Sequence, residues 1–290
     1  MALQPLWQHG FRALGRLQPR CMHLGRASLE GQLRRGVSTA AATSSDKFPK
    51  PPKTRRFWRE VSVGVQDGGS GGYVVRLDKR AIKTPDGKVV CIAQEQPMLA
   101  WLVAGEWESQ QEFLGLHSLP LTSLVSRAID GLGDPGMRGG VVDKLLQYFQ
   151  TDSVCIREEF PRSLVELQER HYTPIVDWAR AAYGIDIQTT TNMFGLRQAP
   201  EAAKKLREVA MGFSPLKLAA LERAVMTAKS FLIGLALVEQ QITAEAAAQA
   251  SLVEATAQIQ RWGELENAHD LDNAATRQIL GASACAAAGA

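Results

Sequence analysis

The chain lacks paired cysteines. Cys21, Cys91, Cys155 and Cys285 are scattered through 290 residues without a Cys-x-x-Cys element. That excludes a zinc ribbon and a thioredoxin-type centre, and it reads as buried thiols in a reducing compartment. Long apolar runs are also missing. The longest, Phe231–Val238, falls far short of the roughly 20 residues that span a bilayer, so no membrane insertion is expected. There is no His-Glu-x-x-His, no nucleophile elbow and no dinucleotide fingerprint, and no cofactor or catalytic residue is implied. The glycine tract at residues 68–72 is followed by Tyr73-Val74-Val75 instead of Gly-Lys-Ser/Thr opening a helix, so it reads as a loop tip and not an ATP cradle. Glu266-Asn267-Ala268-His269 supplies one Glu-x-x-His element, whereas a di-iron bundle needs two, so no metal is expected.

Acid is scarce in the first 45 residues. Arg12, Arg16, Arg20, Arg26, Arg34 and Arg35 face Glu30 alone. On a helix, Arg12, Arg16 and Arg20 line one face, and Leu3, Trp7, Phe11, Leu14 and Leu17 gather on the other. An Arg-rich amphipathic start followed by Ser, Thr and Ala reads as a mitochondrial transit peptide, cleaved near residues 35–42; a basic tail or a plastid address are the alternatives. Without this segment the acids slightly outnumber the bases, so the net charge of +3 does not signal a nucleic-acid partner. The expected location is the mitochondrial matrix.

Residues 46–56 hold a Pro/Lys linker. Residues 58–65 and 73–77 alternate, which predicts a hairpin, and residues 81–84 and 88–92 add two short strands around Pro85-Asp86-Gly87, giving an antiparallel meander. Helical spacing begins at Pro97, and residues 119–129 and 141–149 are further helices parted by the glycines of 131–140. Residues 153–157 read as a strand rejoining the sheet. The expected boundary lies at 152–160, giving an α+β first domain (57–158) and a helical second one (159–290). In the second, Pro174 breaks or kinks a helix over 163–183, and Ser214-Pro215 opens one over 216–238 that is apolar on nearly every side and belongs in the middle of a bundle. Thr243 starts the last helix, whose stripe runs through Ala248, Leu252, Ala255, Ile259 and Trp262.

The most distinctive stretch is 259–272. Carboxylates Glu254, Glu264, Glu266, Asp270 and Asp272 cluster with few bases among them. If residues 262–273 were helical, Trp262, Glu266, His269 and Asn273 would share a stripe. Continued without a break, that stripe would carry Glu266 into the core, at a cost of several kcal/mol. Gly263 is expected to swing the next turn outward, leaving Glu266 at least partly exposed. His269 with Asp270 is expected to cap or order a turn. Upstream, Glu106-Trp107-Glu108 with Gln110-Gln111 reads as a solvated helix face, or as a partner contact anchored by Trp107.

Four separated motifs carry a resemblance. They are residues 57–88, with Leu77-Asp78-x-Arg80-x-x-Lys83-Thr84-Pro85; residues 106–111 with Leu121-Thr122-Ser123-Leu124; residues 151–157 with Trp178 and Tyr183-Gly184; and Trp262-Gly263-x-x-Glu266-x-Ala268-His269-Asp270. Together they resemble the mitochondrial ATP synthase assembly factors that chaperone the free alpha subunit of the catalytic head. The resemblance implies a sheet-containing domain followed by an orthogonal helical bundle, no catalysis, and a client shielded until a beta subunit replaces the chaperone. It makes Glu266 the first candidate for client contact, supported by Trp262, His269 and Asp270. The family usually places an aromatic where this chain has Asn267, and the Ala-rich end (282–290) departs from the pattern and is expected to fray. Two other readings stand beside it: a small-molecule enzyme using Glu266, His269 and Asp270 as acid–base groups, and a structural adaptor whose acidic end meets a basic partner.

Overall fold

Alternating valines build the first hairpin. Strand β1 (Val61–Val65) pairs antiparallel with β2 (Tyr73–Leu77), placing Val61 opposite Leu77 and Val63 opposite Val75. The computed structural model describes residues 54–66, 71–192 and 194–288, so the expected transit peptide, most of the linker and the tip of the glycine tract lie outside the described residues. The expected small antiparallel sheet is present, but it is not a simple meander. β3 (Arg80–Ala81) covers only Arg76 and Leu77 of β2, so Tyr73 and Val74 are left for β4 (Cys91–Ile92). Helix α1 (Pro97–Glu108) packs on β1 and β2, burying Leu99, Val103 and Trp107 against Trp58, Val75 and Leu77.

Helices α2 (Pro120–Asp130) and α3 (Pro135–Gln150) follow. α3 reaches back through glycines that were expected to separate two helices. Asp134 caps it by accepting from the Gly136 N–H at 2.9 Å, and Pro135 occupies the first position, where a missing N–H costs nothing. Residues 153–157 do not rejoin the sheet. Asp152 accepts from the Val154 N–H at 3.3 Å and winds Ser153–Cys155 into a 3-10 turn, leaving Ile156 a single parallel bridge to Thr190.

The remainder is helical: α4 (Arg162–His171), α5 (Thr173–Tyr183), α6 (Pro200–Met211), α7 (Pro215–Ala228), α8 (Phe231–Val238), α9 (Ala244–Ser251), α10 (Val253–Trp262) and α11 (His269–Ala287). Pro174 separates α4 from α5 as expected. The apolar stretch expected as one helix over 216–238 is two, because Lys229 turns left-handed at φ +57° and Ser230 caps a new start. α8 then folds back across α7 so closely that a Cβ on Gly234 would lie 2.6 Å from Val225 Cγ2 and 3.0 Å from the Val225 nitrogen. Leu252 likewise divides the last expected helix into α9 and α10.

α7 also packs against α2, α3, α9 and α11, so residues 56–290 form one compact unit. We propose that the division near residue 158 is topological: the sheet and α1–α3 precede it, and α4–α11 follow it. The Ala-rich end does not fray through the described residues. α11 continues to Ala287 with Ala282, Ala286 and Ala287 buried, because small side chains let it lie close on α7. The thiols differ from expectation too: Cys155 is buried, Cys91 is half-buried and Cys285 is exposed.

Every residue of α8 is buried, so its first N–H groups need internal acceptors. The Leu232 N–H donates to Asp152 Oδ2 at 3.0 Å, the Ile233 N–H to Ser230 Oγ at 3.1 Å and the Gly234 N–H to the Ser230 carbonyl at 3.3 Å. The Phe231 N–H and the Ser230 hydroxyl also donate to Asp152.

Two outcomes are expected. Gly234→Ala will lower stability by about 1–3 kcal/mol in urea titrations, because Val225 backbone has to move; adding Val225→Ala will restore only part of it. Burial pushes the Asp152 carboxyl from 3.8 up to about 6, against the hydrogen bonds that lower it. The folded state therefore holds the proton more tightly, and the stability this site adds is full below the unfolded pKa and lost as pH rises to about 6. Relative to Asp152→Asn, which does not titrate, wild type will lose on the order of 1–3 kcal/mol between pH 4 and pH 7 in paired urea titrations.

Candidate partner-binding corner

The corner between α10 and α11 begins at Gly263. Its φ of +88° and ψ of 164° fall in a region that is essentially glycine-only, and nothing lies within 4 Å of where a Cβ would stand. The glycine is there for its backbone angle, and it ends α10 with its N–H on the Ile259 carbonyl at 2.8 Å. Residues 262–273 are therefore not one helix, and Trp262, Glu266, His269 and Asn273 do not share a helical stripe. The chain swings out as expected, and Glu266 is exposed in a turn.

That turn is closed by backbone and by one side chain. The Leu265 carbonyl accepts from the N–H groups of Ala268 and His269, while the Leu265 N–H donates to His269 Nδ1 at 3.0 Å. His269 thus orders the turn, accepting through Nδ1. Asn267 adopts φ +60°, a left-handed conformation that asparagine tolerates far better than an aromatic. The backbone here explains why this chain carries Asn267.

The surface this produces is both acidic and apolar. Trp262 (72% exposed), Leu265 (63%) and Leu271 (60%) stand out of it, with the Arg261 guanidinium 5.1 Å from the Trp262 ring centre. Glu264, Glu266, Asp270 and Asp272 are exposed among them, and Glu254 is exposed on α10. None of these five takes part in the ion pairs found among the described residues. Asp270 and Asp272 lie in the first turn of α11, where the helix end favours negative charge. Among the described residues no cluster of three His, Cys, Asp or Glu side chains is placed to hold a metal ion.

Trp107 does not join this corner. It is 6% exposed, donates its Nε1–H to Thr122 Oγ1 at 3.0 Å and meets Trp58 edge-on at 5.2 Å. Its reading as a partner contact is corrected, because its whole ring is used inside the chain. The neighbouring acids and amides are a solvated face only in part: Glu108 and Gln111 are exposed, whereas Glu106 and Gln110 are drawn inward. Glu106 accepts from the Leu121 N–H at 2.6 Å, the Thr122 N–H at 2.8 Å and the Thr122 hydroxyl at 2.7 Å, capping α2 from another helix. Burial pushes its carboxyl above the ordinary range, and those three bonds oppose the shift. Gln110 is buried and tied to Ser118 and the Gly115 N–H. The signal for this role was the α2 start itself, Leu119-Pro120, which offers no side chain of its own as a cap.

The description "ATP12 chaperone protein" belongs to the family model that matches residues 55–180. Over a wider span the chain is 30% identical to the mitochondrial protein atp12 of Schizosaccharomyces pombe, covering 83% of this chain and 84% of the relative. This chain belongs to the ATP12 chaperone family. The mitochondrial protein ATP12 of Saccharomyces cerevisiae is also 30% identical, over 87% of this chain and 88% of the relative. The crystal structure of Atp12 from Paracoccus denitrificans matches with a TM-score of 0.70 at 28% identity, over 81% of this chain and 98% of that one. An ATP12 chaperone is not an enzyme, which removes the acid–base reading of Glu266, His269 and Asp270. The corner lies beyond the segment that the family model matches.

Glu106→Ala will leave the Leu121 and Thr122 N–H groups without their acceptor and cost about 1–3 kcal/mol in urea titrations. Glu108→Ala, which removes only the exposed ion pair with Arg56, will cost less than about 1 kcal/mol.

Proposed function

We propose that this ATP12 chaperone binds the unassembled alpha subunit of the mitochondrial ATP synthase catalytic sector in the matrix, and shields its subunit interface until the beta subunit replaces it. A subunit destined for a large apolar interface exposes that surface while it waits, and such patches aggregate. A transient cover needs apolar contact for affinity and a polar contact that can be exchanged. The corner has both. The observation that carries the reading is Glu266, exposed near Trp262, Leu265 and Leu271 in the chain with no ion pair among the described residues. A carboxylate in that setting fits an arginine on the client, held in a two-pronged contact and later handed to the beta subunit. Asp270 adds to the same field, and His269 keeps the turn in shape through its bond to Leu265.

The test is capture of purified free alpha subunit. Glu266→Lys will weaken binding at least tenfold with no change in melting temperature, since the side chain makes no internal bond. Capture by the lysine variant as strong as by wild type would remove the corner from the client contact. Retention of the beta subunit along with alpha would remove the shielding role.

A further inference from the structure

A cleft of about 280 Å³ lies away from the corner, lined by α4, α5 and the segments around Arg157 and Thr189. A parallel β-bridge between Ile156 and Thr190 runs beside it. The Arg157 N–H donates to the Thr190 carbonyl at 2.8 Å and the Thr190 N–H to the Cys155 carbonyl at 2.9 Å. The Arg157 side chain is half-buried and lies over the Tyr172 ring at 5.3 Å. Its Nη1 donates to the Gln168 carbonyl at 3.0 Å and reaches Thr173 Oγ1 at 3.4 Å. Its Nε and Nη2, and the carboxamide nitrogen of Gln168, find no acceptor among the described residues. The other arginine of the cleft, Arg180, already holds Asp177 at 3.3 Å and the Ile187 carbonyl. Arg157 is thus the cation of the cleft that makes no direct ion pair among the described residues; desolvation lowers its pKa from the ordinary guanidinium value, and the more distant charge of Asp177 opposes that only in part.

We propose that this cleft is a binding site for a carboxylate carried on a polypeptide and flanked by basic residues. The free edge of the Arg157 guanidinium matches a carboxylate in a two-pronged contact, with the Gln168 amide and Thr173 hydroxyl beside it. The basic flanks follow from the rim. Glu158 and Glu169 line the same cleft and are exposed, so a bare anion is repelled there while a peptide bringing cations is not. The chains leaving the Ile156–Thr190 bridge carry Phe160 (76% exposed) and Phe194 (96% exposed), the two most exposed large apolar side chains among the described residues. Aromatic anchors of this kind suit a protein partner better than a free ion. The site stands whether or not the corner binds the alpha subunit.

Calorimetric titration with a blocked lysine–alanine–glutamate–alanine–lysine peptide, and with its glutamine counterpart, tests it on the whole chain. The glutamate peptide will bind at least tenfold tighter than the glutamine one. Arg157→Gln will erase that difference, Arg157→Lys will keep part of it, and Glu266→Lys will leave it intact. Equal binding of the two peptides, or no binding of either, overturns the proposal without reference to any variant. Inorganic phosphate binding Arg157-dependently and as tightly as the peptide would make the cleft a free-anion site and overturn the polypeptide assignment.

Discussion

The first turn of α8 is the constraint on which the rest of this structure depends. Six large apolar side chains, Phe231, Leu232, Ile233, Leu235, Leu237 and Val238, enter the core on this one element. Each contributes about 1.5–3 kcal/mol through burial. A buried helix start with unsatisfied N–H groups would forfeit about 1–3 kcal/mol for each, enough to cancel a sizeable part of that gain. Asp152 and Ser230 supply the acceptors. Because Asp152 comes from the end of α3 and Ser230 from the end of α7, the bond network fixes where three segments meet. A carboxylate with no cation beside it is tolerated there because the helix end and several N–H groups take the place of one.

From that centre the corner follows by geometry. α8 sets α7, and α7 provides the surface against which α11 lies along its small residues. α10 arrives from the other direction, packed on α4, so the chain has to change course between Trp262 and His269. Gly263 makes the change, and His269 closes the turn that results. The exposed acids and apolar side chains are a consequence: a tight reversal has no interior in which to hide Leu265 or Trp262. The client contact proposed for this corner needs no cavity, only side chains that the fold leaves facing out.

Much of this was legible beforehand because it was local. The hairpin alternation, the Ser214-Pro215 start, the break at Pro174 and the outward swing at Gly263 each rest on neighbours in the chain, and each appears in the structure. The misreadings share the opposite property. Residues 153–157 look like a strand by composition, yet Asp152 turns them for the sake of α8, nearly eighty positions away in the chain. Residues 216–238 carry an unbroken apolar pattern, yet Lys229 and Ser230 divide them so that Gly234 can sit against Val225. Glu106 and Trp107 looked like surface groups because their partners, Leu121 and Thr122, are on another helix.

What the sequence by itself determined was the class of molecule: a short antiparallel sheet, a helical remainder rich in apolar periodicity, and an acidic corner beside a tryptophan and a glycine. Those features are written in spacing, and spacing acts over one or two turns. Only the tertiary structure decided which acids are structural and which are left facing solvent. Asp152 and Glu106 are buried by distant segments and spend their charge on backbone N–H groups, whereas Glu266 is left in water by the bend at Gly263. Identical carboxylates take opposite roles because burial depends on what the rest of the chain brings to them.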